Sequence, residues 1–295
     1  MCRLIHAEIY KLFRMRGFKI LCIIALILGI SMAGLSKLSS SEDFLKSSLK
    51  SFPPEQQQTY IEQLKKANAE SYSKVTIGSM GFFVHSKDIF HPTGKDVFRA
   101  SFGIGVIEIL ASVLIGSMIA IEYSSGTIKN ILAYGKKREY YYIAKIVAAF
   151  VGFTIILGLM VTSTTIISSF TFGWGAPFAI NDALYILKIF AAALAVGLGT
   201  ISFLIFISTL VKSNGGTILI GIILFSISPM FIAFLYGKYT WFDKLYKCIL
   251  PYNWALATSA AVTNNELLRA SSLGIITLLI TAAAGIAVFK NQDIK

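Results

Sequence analysis

The residues best placed for chemistry here are suited to recognition and to holding charge, not to making or breaking bonds. The most informative stretch runs Glu122-Tyr123-Ser124-Ser125-Gly126-Thr127-Ile128-Lys129-Asn130-Ile131-Leu132-Ala133-Tyr134-Gly135, followed by Lys136, Lys137 and Arg138, between two long apolar runs. The hydroxyl of Ser124 or Ser125 can accept from open backbone N–H groups and cap a helix, and Gly126 allows a tight entry. Ile128, Ile131 and Leu132 then share one face by i, i+3, i+4 spacing, with Lys129 and Asn130 off it. So short a helix is not stable alone. It needs a partner surface, either the bilayer or another protein. The alternative is an ordinary basic loop with an incidental helical turn.

Glu108 is the one carboxylate well inside an apolar span, where a charge costs at least ~2.5–3.5 kcal/mol. It is either a polar contact on a path or dimer seam, or a protonated group bonded to a neighbouring helix. Lys188 lies near a span end and can snorkel out of the membrane. Motifs for covalent or nucleotide chemistry are missing. Gly94-Lys95 runs into Asp96 and Gly135-Lys136 into Lys137, so no phosphate-binding G-x-x-x-x-G-K-[ST] loop is present. The histidines His6, His85 and His91 match no common zinc spacing, and no metal site is expected. Cys2, Cys22 and Cys248 suggest neither a metal site nor a disulfide framework.

The elements that position these residues follow from composition. Of 295 residues, 55% are hydrophobic and 14% charged, and several apolar runs are long enough to cross a hydrocarbon core of ~30 Å. The expected fold is an all-α polytopic membrane protein with six transmembrane helices, an N-terminal interfacial amphipathic helix and one extracytoplasmic loop subdomain. The net charge of +12 suits a membrane with anionic headgroups. Its basic residues are dispersed, not gathered on one stripe, which argues against nucleic-acid binding.

Residues 1–17 predict a cytosolic interfacial helix, with Ile5, Ile9, Leu12 and Phe13 opposite Glu8, Lys11 and Arg14. The first span is 18–35. Ser31-Met32-Ala33 resembles a signal cleavage site, but the apolar stretch is long for a signal and five more spans follow, so a retained span is expected. Residues 36–98 read as the extracytoplasmic subdomain, with Ser36–Ser41 a flexible lead-in and Pro53-Pro54-Glu55 opening a helix. The second span is 101–121, the cytosolic loop with the short helix 122–142, the third span 143–170 and the fourth 184–211. The fifth, 215–236, carries Pro229 as an expected kink. Residues 237–266, rich in aromatics, read as interfacial or re-entrant. The sixth span is 268–289, and 290–295 form a cytosolic tail. Lys and Arg near the span ends place both termini on the cytosolic side of a multi-pass protein of the cell membrane.

Three places resemble one family, the membrane (permease) subunit of a type-2 ABC exporter. Leu4-Ile5-His6-Ala7-Glu8-Ile9-Tyr10-Lys11-Leu12-Phe13-Arg14 resembles its opening amphipathic helix, with Glu and Lys three apart. Glu122 to Leu132, with Gly126-Thr127 and then Arg138 and Lys145 downstream, resembles its coupling-helix region. Phe289-Lys290-Asn291-Gln292-Asp293-Ile294-Lys295 is similar to its closing aromatic and D-I-K tail. With the span order, the resemblance covers nearly the whole chain.

It implies a pair of permease subunits, identical or similar, in the lipid bilayer with a separate ABC ATP-binding subunit. ATP and Mg would be held by that partner, and this chain would bind no cofactor and be no enzyme itself. It also implies that Glu122, Ser125, Gly126, Thr127, Ile128, Lys129, Ile131 and Leu132 sit against the ATP-binding subunit. The long first outer loop suggests a peptide, antibiotic or lipid-like cargo. Two other readings are an ion-coupled secondary transporter using Glu108, and a non-transporting membrane sensor whose 36–98 region binds a ligand.

Overall fold

The computed structural model describes residues 1–50, 52–72, 74–128, 137–260 and 262–292. The protein is all-α, as expected, and among the described residues six helices are long and apolar enough to cross a membrane. In chain order, α1 (Cys2–Arg14) leads through Met15 into the first long helix, α2 (Arg16–Ser39). Three shorter helices follow, α3 (Glu42–Ser48), α4 (Pro54–Tyr72) and α5 (Gly94–Ala100). The second, third and fourth long helices are α6 (Val106–Tyr123), α7 (Arg138–Phe172) and α8 (Ile180–Val211). The fifth is α9 (Asn214–Leu235). Two short helices, α10 (Thr240–Tyr246) and α11 (Leu250–Ala257), precede the sixth, α12 (Asn264–Asn291).

Several boundaries differ from the sequence expectation, each for a local reason. Ser36–Ser41 is not a loose lead-in at its start, because α2 continues to Ser39. The Ser36 hydroxyl donates to Met32 O at 2.7 Å, and Ser39 and Ser40 donate to Ser36 O. Helix α6 starts at Val106 and not at Ser101. Thr93 and Asp96 form a reciprocal cap that starts α5, and Gly103 and Gly105 take φ of +55° and +75°, separating the two helices. Helix α7 already begins at Arg138, inside the stretch read as loop. Likewise α12 begins at Asn264, where Thr263 and Glu266 cap each other. Pro229 follows a π-helical turn, Ile223–Ile227, so the irregularity in α9 begins before the proline. Within 237–266, α11 is buried from Tyr252 to Ala257 and packs between α8 and α12.

In lipid the helices gain little from burying apolar faces against one another, so small residues and interhelical hydrogen bonds decide the contacts. Helices α2 and α7 meet at Gly29, whose carbonyl accepts from the Thr164 hydroxyl at 3.0 Å. Helices α8 and α12 meet at Gly199 and Gly274, and Thr281 donates to Ser202 Oγ at 2.7 Å. Helix α9 is tied to the start of α6 by Ser226, which donates to Gly105 O at 2.8 Å. At the α8–α12 approach the near neighbour is backbone: a Cβ on Gly274 would lie 2.3 Å from Ala195 O. Backbone cannot yield as a side chain can. Gly274→Val should therefore lower stability by about 3 kcal/mol, the upper part of the overpacking range. A thermal melt in detergent that matched the parent chain would refute this packing.

At one end of the bundle, α5 is locked onto α8. Arg99 Nε donates to Tyr185 OH at 2.6 Å, and Lys95 lies over the Tyr185 ring at 4.3 Å. His85 there contacts Thr76 Oγ1 at 2.8 Å, and burial pushes its pKa below the ordinary histidine value. His91 instead pairs with Asp88 at 2.8 Å, and the two histidines share no site. Among the described residues no group of three or more His, Cys, Asp or Glu could hold a metal.

Candidate functional site

At the opposite end, five polar side chains from three helices converge. Helix α1 contributes Glu8 and Lys11, one turn apart, α6 contributes Glu122 near its last turn, and α7 contributes Tyr141 and Lys145, four residues apart. Lys145 Nζ lies 2.5 Å from Glu8 Oε2 and 2.7 Å from Glu122 Oε2. Lys11 Nζ lies 2.6 Å from Glu8 Oε1 and 3.3 Å from Glu122 Oε1. The Tyr141 hydroxyl donates to Glu122. Two cations thus alternate with two carboxylates, and each lysine bridges α1 to α6.

Burial separates the two lysines. Lys145 is 2% exposed and Glu8 1%. Lys11 keeps 42% of its side chain in contact with solvent. Desolvation opposes the Lys11 charge, but its hydrogen bond to Glu8 and the charges of Glu122 and Glu8 prevail and hold its pKa above the usual lysine value. Solvent on the Lys11 side screens these contacts and reduces what they contribute. Lys145 and Glu8 are different: both are almost wholly buried, and removing either takes from the other one of its two ionic contacts.

An aromatic layer lies beside this cluster. Phe289, near the end of α12, has Tyr141, Tyr142 and Tyr123 around it at ring-centroid distances of 5.7, 6.1 and 6.3 Å. Arg138 Nη1 donates to the carbonyls of Phe289, Lys290 and Gln292, capping the end of α12. Gln292 Nε2 reaches Thr209 O on α8 at 3.0 Å. The start of the chain, the end of α6, the start of α7 and the ends of α8 and α12 are therefore fastened together around the segment that follows Glu122.

The predicted site residues fall into three groups. Glu8, Lys11 and Glu122 come together, although sequence reasoning put Glu8 and Lys11 on the solvated face of α1. That assignment is corrected: Glu8 and Leu12 form the buried face, while Phe13 is 48% exposed. A glutamate can occupy the inner face because Lys145 neutralises it. Arg14 is exposed and lies over the Tyr10 ring.

The residues after Glu122 behave differently from expectation. Ser125 serves the helix before it. Its hydroxyl donates back to Ile121 O at 2.7 Å, and its N–H bonds the same carbonyl, closing α6. Gly126, with φ of +70°, is the left-handed residue that ends that helix. Thr127 is exposed, its hydroxyl 3.1 Å from that of Ser125. Ile128 is 1% exposed and joins the main core, so it anchors the segment to this chain and is not on an outward face. Lys129, Ile131 and Leu132 lie outside the described residues.

Glu108 is also placed differently. Because α6 starts at Val106, Glu108 sits in the first helical turn and not deep within the span. It is 3% exposed within one chain, so it presents no seam to a second copy.

Tyr141 has no place in the sequence reading of the site, and Arg138 and Lys145 enter it only through resemblance. A usable signal was there. Ile143-Ala144-Lys145-Ile146 sets a lysine among apolar helix positions, where it demands a carboxylate partner.

A family model described as ABC-2 family transporter protein matches residues 3–294. A search of curated proteins finds no match.

Proposed function

Since the chain belongs to the ABC-2 family of transporter proteins, we propose that it is the permease subunit of an ATP-driven exporter, worked from the cytosol by a separate ATP-binding subunit. The observation that carries this reading is the Glu8–Lys145–Glu122–Lys11 cluster at the root of the segment after Gly126. A push delivered to that segment meets a junction where α1, α6 and α7 are bonded to one another, so the three helices move as one lever. Arg138 and the tyrosines around Phe289 extend the junction to α12.

On this reading the partner holds ATP and Mg, and two permease subunits, identical or similar, enclose the path. Tilting of α6 and α7 opens it alternately to either side. The junction faces the cytosol of the cell membrane, in keeping with Arg14, Arg16, Lys137 and Arg138 at that end. The 36–98 region then lies outside, and a peptide, antibiotic or lipid-like molecule is the proposed cargo. Glu108, in a first helical turn, gives an ion-coupled mechanism no support of its own.

Ser125 and Thr127 are the exposed residues with which to test partner contact, since Ile128→Asp would unfold the core instead. The tagged chain drawn from its native membrane in gentle detergent should bring an ATPase with it. Ser125→Trp with Thr127→Trp should cut the recovered ATPase activity at least tenfold while leaving the melting temperature of the chain in place. A clean chain with no ATPase from membranes in which other complexes survive would reject the proposal.

A further inference from the structure

A groove of about 500 Å³ runs between α1, the elbow at Met15 and α6. Leu12, Met15, Met118 and Ile121 make its apolar walls. The elbow exists because Met15 is extended, with φ of −68° and ψ of 125°, turning the chain from α1 into α2. Arg14 and Arg16 flank that bend and line the same groove.

Charge decides what fits. Lys11 and Lys145 are satisfied by Glu8 and Glu122. Arg14 and Arg16 have no carboxylate partner among the described residues, and both are exposed. Two unpaired guanidiniums above an apolar cleft complement a phosphodiester joined to acyl chains. A soluble anion would satisfy the arginines and leave the walls wet. An apolar peptide would cover the walls and leave the arginines unanswered. Phe13 and Ile20, 48% and 55% exposed on either side of the elbow, continue the apolar surface beyond the groove.

We propose that this groove holds one anionic glycerophospholipid, its phosphate between Arg14 and Arg16 and an acyl chain along Met15, Met118 and Ile121. The bound lipid braces α1 against α6 beside the ion cluster. The site belongs to this chain alone and does not depend on the ATP-driven reading.

The test is lipid retention by the full chain, measured by native mass spectrometry after equilibration in mixed micelles of equimolar phosphatidylglycerol and phosphatidylcholine. The parent chain should retain one phosphatidylglycerol in preference to phosphatidylcholine. The double variant Arg14→Gln with Arg16→Gln should reduce that preference on the order of tenfold, as expected for two cations facing an anionic headgroup. Arg3→Gln with Lys19→Gln removes equal charge outside the groove and should leave it unchanged. Ser117→Phe fills the groove from α6 without altering charge and should expel the lipid.

Three results would overturn the proposal. One is equal loss in both charge variants, which would mean diffuse attraction. Another is full retention in Ser117→Phe. The third is displacement by millimolar inorganic phosphate, which would make this a simple anion site.

Discussion

Lys145→Met should destabilise the detergent-solubilised chain by about 3–5 kcal/mol, the range for removing one partner of a buried ion pair. The size follows from what is left behind. Glu8 is 1% exposed and would retain only Lys11, itself half in solvent, as a cation. Glu122 would lose its 2.7 Å contact and keep Lys11 at 3.3 Å with the Tyr141 hydroxyl. The double variant Glu8→Gln with Lys145→Met removes both opposed charges and leaves Glu122 with Lys11. It should recover most of the lost stability. Thermal unfolding of the parent, single and double variants reads the difference. Equal melting of all three would show that the cluster does not hold α1 to α7. Transport separates the two roles of the pair, because the double variant should fold yet remain well below the parent in activity.

Gly126 should give a graded series whose cause is backbone conformation alone. Its φ is +70°, and a Cβ there would meet nothing within 4 Å. Crowding by neighbours therefore plays no part, and the penalty is that of an L-residue in the left-handed region, about 1–2 kcal/mol. Gly126→Asn should be tolerated, because asparagine visits that region, whereas Gly126→Ala should be impaired and Gly126→Val, being branched at Cβ, most of all. Relief of the strain carries α6 on as a continuous helix and re-aims the segment behind it. The chain should still insert and fold, while transport falls at least tenfold in Gly126→Val. Transport that followed residue size without regard to left-handed tolerance, with asparagine as harmful as valine, would remove Gly126 from its assigned role.

The broad fold was legible because the membrane imposes a one-dimensional rule. Every spanning helix must be apolar for about twenty residues, and a run such as Ala191 to Val211 can satisfy that without reference to any other part of the chain. Helix ends were less legible, because they rest on single residues whose partners are local but ambiguous. Ser125 could have capped the helix after it or closed the one before it, and hydroxyl chemistry permits both. Gly105 and Gly126 could each have been a bend inside a helix or its end, and only their positive φ settles which.

The sequence by itself determined that this is a membrane protein with six spanning helices, a basic N-terminal helix and a polar segment after Glu122. Those properties reside in composition and periodicity, which local physics reads directly. Tertiary structure decided that Glu8 faces inward, that Lys145 lies between Glu8 and Glu122, and that Ile128 belongs to the core. A charge is buried or solvated according to whether an opposite charge lies within reach, and Lys145 comes within 2.5 Å of Glu8 only when α1 lies against α7. Pairing across that much chain has no periodic signature, so it could be known only once the helices were packed.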